Sequence, residues 1–444
     1  MAKKHICRAF LAIFLFLSLL LSVGVAIWGP SKAGANERLS QDAALFDKDG
    51  NFNPDYLSDL AAWMSDHFFG RQELISVHNK LTGLLFGSSG TDSVILGKDG
   101  WLFFAETLDD FTGSESMSDR DIYGAARNLY LIQEYCKTSG MDFQFMLAPN
   151  KNSLYPQFMP DYGAVSDNSD AQRLYKLLDE MGVSCIDLYE VFTAQEEILY
   201  FAHDSHWNSK GAALGADLIN GAFGNESNYF DDAFAQSQIH AGDLYEMAYP
   251  AIADTEENPV YGGVLDFTYS GKMTNPDSIT LNTVGGGEEN LLAFRDSFGI
   301  LLYPYLADSY ANARFSRANA YNLVQTAQLE TDDVLIELVE RNICYLVQNL
   351  HVMPAPQRDV ALPAASSGQI LVFADDQVKQ PEGRMKLTGT FEIQPDADSP
   401  IYVICGGEAY EAFAQTDGFG AYVPAQPEAI VYYVGGDLLM FDIV

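Results

Sequence analysis

Between residues 118 and 338 short apolar runs alternate with amphipathic segments, and this alternation limits the fold more than any other feature of the chain. Residues 118–139 predict a helix that starts near Ser118 and stops at Gly140. "DFQFMLA" (142–148) predicts a strand, 168–181 a helix, "VSCIDL" (183–188) and "EILYFA" (197–202) strands, and 209–220 a helix. After an irregular stretch at 222–288, strands are expected at 290–294, 312–318 and 333–338, with a helix-like segment opening at Ser297. Pro304 should make that helix short or kinked. Strand–helix alternation of this kind predicts an α/β fold, a parallel sheet with helices on both faces. Upstream, 55–86 reads as two helices and "SVILGKDGWLFF" (93–104) as a hairpin around Lys-Asp-Gly. "FDKDGNFNPD" (46–55) is a turn rather than a calcium loop, because Gly50 falls at loop position 4 and Ser58 stands where a bidentate Glu is needed.

From about residue 355 the texture changes to short β-type runs broken by Pro, Gly and Asp. Three regions are therefore expected: 1–35 as a signal or membrane anchor with a linker, 36–350 as the α/β domain, and 355–444 as a β-rich accessory domain. Lys3, Lys4 and Arg8 precede an apolar run from Ala9 to Trp28, about the length that spans a bilayer. The run reads as an uncleaved anchor holding the body outside the cytoplasm, with "AGA" at 33–35 as the cleavage alternative that would release it near Ala35. Export permits disulfides, but Cys136, Cys185, Cys344 and Cys405 have no pairing legible in their spacing. The formal net charge of −36 repels nucleic acid and weakly disfavours a polyanionic polymer.

Functional groups gather at the carboxyl ends of strands in such sheets. Two segments fit: "EILYFAHDSHW", with Asp204 and His206, and "NLLAFRDSFG", with Ser297 opening a helix. Serine is a weak nucleophile that needs a base, histidine supplies one near neutral pH, and a carboxylate fixes the imidazole tautomer. One intervening residue lets Asp204 reach His206 only if the turn is tight. Asn208 is the expected cap of the following helix.

"DSHWNSKGAALGA" resembles the last motif of the SGNH hydrolase superfamily, and "RDSFG" resembles its Gly-Asp-Ser motif with Arg295 in place of glycine. The order is reversed, Asp and His before Ser. That order, with "DHFFGRQELI" and "GKDGWLFF" upstream, is similar to the alginate O-acetyltransferase-like and DHHW proteins over roughly residues 55–345. The resemblance implies an SGNH-like sheet and a Ser297–His206–Asp204 triad with no metal and no cofactor. It also implies an acetyl group moved through an acyl-enzyme onto a cell-surface or secreted polysaccharide, with a membrane-bound acyltransferase as the possible source of acetyl. Asn319 and Tyr321 are candidates for the oxyanion side of the site, and Lys151 either lines the cleft or is a solvated loop lysine.

Other readings stay open on the residues alone. The same triad serves a carbohydrate acetyl esterase, with water as acceptor. A silent surface protein could bind glycans through the β-rich region. His203, Asp204 and His206 could ligate zinc if His67 or His240 arrived from far away. Ser297 alone could be a helix cap. Trp207 is expected to pack on the helix rather than stack on sugar, and Glu337 and Arg341 to form a structural ion pair.

Overall fold

The structure, a computed structural model, describes residues 8, 10–12, 15–16, 23–34, 37–163, 168–231, 237–379 and 381–444. The expected hairpin forms from β1 (Val94–Leu96) and β2 (Leu102–Phe104). Its turn carries Asp99 at φ 54, a left-handed position eased by the following Gly100. The central sheet is built from β3 (Asp142–Ala148), β4 (Cys185–Asp187), β7 (Thr268–Tyr269), β8 (Thr280–Val284), β9 (Asn290–Phe294), β10 (Asn312–Ser316) and β11 (Asp333–Val339). Between β4 and β7, β5 (Ser237–His240) and β6 (Glu256–Pro259) form a separate antiparallel hairpin.

The sheet order is β4-β3-β11-β9-β10-β8-β7. Its first five strands run parallel, and β8 and β7 close one edge antiparallel. All seven residues of β11 are buried, as a central parallel strand covered on both faces requires. The strand period of two sends alternate side chains to two cores. Met146, Ala148, Leu291, Ala293, Leu335 and Val339 pack on one face with helices Ser209–Ala222 and Gly299–Ser309. Phe143, Phe145, Leu292, Phe294, Val334 and Ile336 pack on the other with helices Asp119–Thr138 and Asp170–Met181. Each large side chain so buried contributes roughly 1.5–3 kcal/mol. Ser118 caps the first of these helices by accepting from the Asp121 amide, and Ser169 and Gln172 make a capping box on the second. Helix Gly299–Ser309 runs through Pro304 without ending there.

The β-rich region contains sheets of six and four strands, with a core that includes Val403, Phe419, Ile430 and Tyr432. It docks on helix Asp119–Thr138. Asn128, fully buried there, donates to the carbonyls of Leu346 and Ala414 and accepts from the Ala414 amide. Glu411, with no exposed side chain, receives Arg127 and Arg358, and Arg358 also pairs with Glu134.

Three expectations are corrected. Among the described residues no helix is long and apolar enough to cross a membrane. This overturns the anchor expected over 9–28 and the outside-facing or secreted placement built on it. Residues 9, 13–14 and 17–22 of that run lie outside the described residues, whereas 23–28 are helical and Trp28 stacks on Phe69 at 4.8 Å. "EILYFA" is not a strand. Two of its amides go to side chains, Leu199 to the Tyr155 hydroxyl and Ala202 to Glu256, and among the described residues its backbone contact with a strand is the single bond from the Leu102 amide to the Ala202 carbonyl. The stretch 222–288 is less irregular than its Gly, Asp and Asn content implies, since it holds β5 to β8 and the short helix Asp243–Ala248.

Candidate active site

Ser297 lies in the short turn between β9 and helix Gly299–Ser309, whose N-cap is Phe298. The turn is held by Asp296, whose carboxylate accepts from the Phe298 amide (2.9 Å), the Val339 amide at the end of β11 (2.9 Å) and the Asn342 side chain (2.7 Å). Gly299 is required by close approach, because a Cβ there would meet the Arg295 side chain at 2.4 Å. Arg295, where the superfamily motif has glycine, lies over the Tyr303 ring and donates to the Asp296 and Pro276 carbonyls.

Asp204 and His206 lie on the bend-rich loop 201–206, closed by the Tyr200–Trp207 bridge. The single intervening residue is enough because the turn is tight: Asp204 Oδ1 accepts both the His206 amide (2.8 Å) and His206 Nδ1 (2.7 Å). This is the local side-chain-to-backbone bond that aspartate favours in turns. His206 Nε2 then reaches Ser297 Oγ at 2.8 Å. Trp207 locks the two segments together. It is fully buried and donates from Nε1 to the Phe298 carbonyl, a structural role as expected. Asn208 caps the next helix through the Lys210 and Gly211 amides. A Cβ on Gly211 would stand 2.6 Å from the Leu199 carbonyl, so this helix start approaches the loop as only glycine allows.

Asp204 is 4% exposed. Burial favours its neutral form, yet hydrogen bonds from His206 and His240, the His206 charge and the Asp243 amide together hold it well below the usual carboxylate range. An ionised acid, an imidazole and a hydroxyl thus stand in line. Such a line can withdraw the hydroxyl proton and stabilise the resulting imidazolium.

Lys151 neither lines a cleft nor reaches solvent. It is 4% exposed, donates to the Ala202 and Asp204 carbonyls (2.8 Å each), and sits over the Trp101 and Phe103 rings. Burial outweighs the attraction of Asp204, Glu256 and Asp243 and brings its amine down to about 7. Tyr321 is buried between Phe294 and His351, and Asn319 is exposed in the bend after β10; neither bonds to Ser297, His206 or Asp204. The ion pair expected between Glu337 and Arg341 does not form. Glu337 is wholly buried and accepts from the Asp296 amide, whereas the Arg341 guanidinium stacks over Phe104 and Phe298. Strand β11 ends between the two, so Glu337 points into a sheet face and Arg341 leaves on the loop beyond.

The zinc arrangement is not assembled as drawn. His203 Nδ1 turns to Asp254 and His206 Nδ1 to Asp204. Among the described residues, the two close acid–imidazole groups, His203–Asp254–Glu256 and Asp204–His206–Asp243, hold one histidine each and no cysteine. His240 does arrive, but at the other oxygen of Asp204, 2.8 Å away. Asp243 and Glu256 escaped sequence reasoning as parts of this site, and His240 entered it only as a distant candidate for a zinc ligand. They come from the stretch taken as irregular, and no spacing links them to Asp204.

Residues 94–257 match the family model described as the SGNH hydrolase-like domain of the acetyltransferase AlgX. A probable alginate O-acetylase AlgJ from Pseudomonas syringae pv. tomato is 27% identical over 146 residues, 32% of this chain and 36% of that protein. The chain thus spans about a third of the length of this curated relative. Among solved structures, PatB1 of Bacillus cereus is 18% identical with a TM-score of 0.44, covering 57% of this chain and 97% of that one. A DHHW family protein from Eubacterium siraeum is 15% identical with a TM-score of 0.42, covering 59% and 97%. The family match falls on the segment that carries Lys151, Asp204 and His206, so residues 94–257 are similar to the SGNH hydrolase-like domain of the acetyltransferase AlgX.

Proposed function

We propose that the chain moves an acetyl group onto a carbohydrate hydroxyl, with Ser297 as nucleophile, His206 as base and Asp204 as the acid that orients it. The observation that carries this reading is the unbroken line from Asp204 through His206 to Ser297, with contacts of 2.7 and 2.8 Å. Ser297 Oγ attacks the carbonyl carbon of an acetyl ester or thioester while His206 Nε2 takes its proton. The tetrahedral oxyanion forms at the start of helix Gly299–Ser309, where the helix dipole favours negative charge. The donor's alcohol or thiol leaves with the proton from His206, and an acetyl-serine remains. The acceptor hydroxyl then gives its proton to His206 and attacks the acetyl carbon, and Ser297 Oγ recovers the proton as it departs. The acceptor is read into a cleft of about 330 Å³ at the carboxyl ends of β3 and β11, lined by Asn150, Glu340 and Arg341 together with Glu106, Asp109 and Glu115. These carboxylates and the overall acidity suit a neutral sugar better than a polyanion. Residues 36–350 would then serve as the catalytic unit and 355–444 as its accessory.

The test is release of a chromogenic alcohol from an acetyl ester, with and without an oligosaccharide acceptor. Ser297→Ala and His206→Ala should each remove most turnover, Asp204→Ala somewhat less, and the losses should be strongly non-additive because the three act as one unit. His203→Ala, whose ring is turned away to Asp254, should stay close to the parent. Full activity in a folded Ser297→Ala protein would sink the mechanism. Turnover that never acetylates any acceptor would leave an esterase.

A further inference from the structure

Asp204 serves two imidazoles. Its Oδ1 receives the amide and Nδ1 of His206, and its Oδ2 receives His240 Nε2 (2.8 Å) and the Asp243 amide (3.0 Å). Four donors leave the carboxylate no freedom to turn. His240 is the last residue of β5 and pairs with Glu256 on β6. Its ring stacks on Phe201 with centroids 4.0 Å apart and planes 10° apart, which fixes where Nε2 points. The hairpin and the segment between its strands grip the Asp204 loop elsewhere. Glu256 takes the Ala202 and His203 amides, Asp243 takes the amide and hydroxyl of Ser205, and Gly242 lies so close that a Cβ would stand 2.3 Å from the His203 carbonyl.

We propose that His240 is a positioning residue for the Ser297–His206–Asp204 line: it holds the second oxygen of Asp204 and, by gaining or losing a proton, sets how strongly Asp204 supports His206. This rests on the triad reading above. A neutral His240 donates from Nε2 and leaves the His240–Asp204 pair with one net negative charge, which stabilises an imidazolium at His206. Its side chain is 30% exposed, so a proton can arrive from solvent. Once protonated, His240 cancels the charge of Asp204 and withdraws that support. The charged groups facing His240 are Asp204 on the loop, Asp243 on the short helix and Glu256 on β6; His203, held by Asp254, lies on the same loop. Burial opposes a charged His240, but the Asp204 hydrogen bond and these three carboxylates outweigh it and raise its pKa above the ordinary histidine value. The proton on His240 therefore acts on the same carboxylate that serves His206, and the acid limb of the rate profile should be steeper than one proton allows.

The test uses the full chain and acetyl-ester turnover from pH 5 to 9. His240→Phe keeps the ring stack but removes the donor, and should lower kcat about 10-fold with little change in KM, as expected for loss of a hydrogen bond to a charged group. It should also move the acid limb to higher pH, because Asp204 is less neutralised. His240→Gln returns a donor near the Nε2 position without a titrating group. It should recover most of what His240→Phe loses, and its acid limb should fall to a one-proton slope. Imidazole nitrogen resonances give a second readout: in the parent and in Ser297→Ala, the His206 signals should respond when His240 takes its proton, and in His240→Gln that response should be gone. That readout survives if Ser297 proves not to be the nucleophile, so failure of the triad reading and failure of this one are separable. His206 signals that are identical across the pH range in the parent and His240→Gln would overturn the proposal. So would a parent-like rate and pH profile in a folded His240→Phe protein.

Discussion

Replacing Lys151 with methionine keeps the four-atom stem over Trp101 and Phe103 and deletes the amine. Two carbonyls lose a donor, but not equally. The Ala202 carbonyl still receives the Leu102 amide at 2.9 Å, whereas the Asp204 carbonyl loses the Lys151 contact. An unsatisfied buried acceptor costs about 1–3 kcal/mol. Against this stands the relief of a buried cation, and that relief depends on pH. The amine has a folded pKa of about 7, below the value near 10.4 in an unfolded chain. The unfolded chain therefore holds more proton between these values, and parent stability rises with pH across the window. Integrated from pH 7 to 9, the parent should gain about 2 kcal/mol on Lys151→Met. Urea denaturation of both proteins at pH 6, 7, 8 and 9 measures this difference, in which groups common to both cancel. Acetyl-ester turnover should fall in the variant at every pH, because the Asp204 carbonyl helps fix the loop that carries His206. A stability difference that does not change with pH would refute the depressed amine. Unchanged turnover would refute the claim that Lys151 holds the loop.

Asn128→Ala leaves the Ala414 amide and carbonyl without their buried partner and should destabilise the chain by about 2–4 kcal/mol, read by urea unfolding. If the β-rich region is held mainly through Asn128, its tyrosine signals should melt before those of the sheet. Asp333 receives the Tyr310 hydroxyl at 2.8 Å. Burial first, with the charges of Glu289, Asp142 and Asp332, pushes it up to about 7 against that hydrogen bond. The folded chain thus binds the extra proton, and stability falls as pH rises from about 4 to 7. Asp333→Asn keeps an acceptor for Tyr310 and should gain on the parent across that window by an amount on the order of 3 kcal/mol, checked by denaturation at pH 5 and 7.

Local pattern decided what depends on neighbours in the chain. Strand β3 matches its apolar run at 142–148, and helix Asp119–Thr138 begins after the Ser118 cap and ends before Gly140, because period and cap chemistry are properties of a few consecutive residues. The close spacing of Asp204 and His206, and a serine between a strand and a helix, were legible for the same reason. Tertiary structure decided what depends on partners far along the chain. "EILYFA" has strand composition, yet its Leu199 and Ala202 amides go to Tyr155 and Glu256 rather than to a sheet edge. Lys151 read as either a cleft-lining or a solvated loop lysine because nothing near it announces that two carbonyls at 202 and 204 await its amine. His240 was one histidine in a stretch without periodicity, and only the β5–β6 pairing carries its ring to the second oxygen of Asp204. A motif names the groups that can do chemistry; which of them share one carboxylate is set by packing, since hydrogen-bond geometry is satisfied in space and not along the chain.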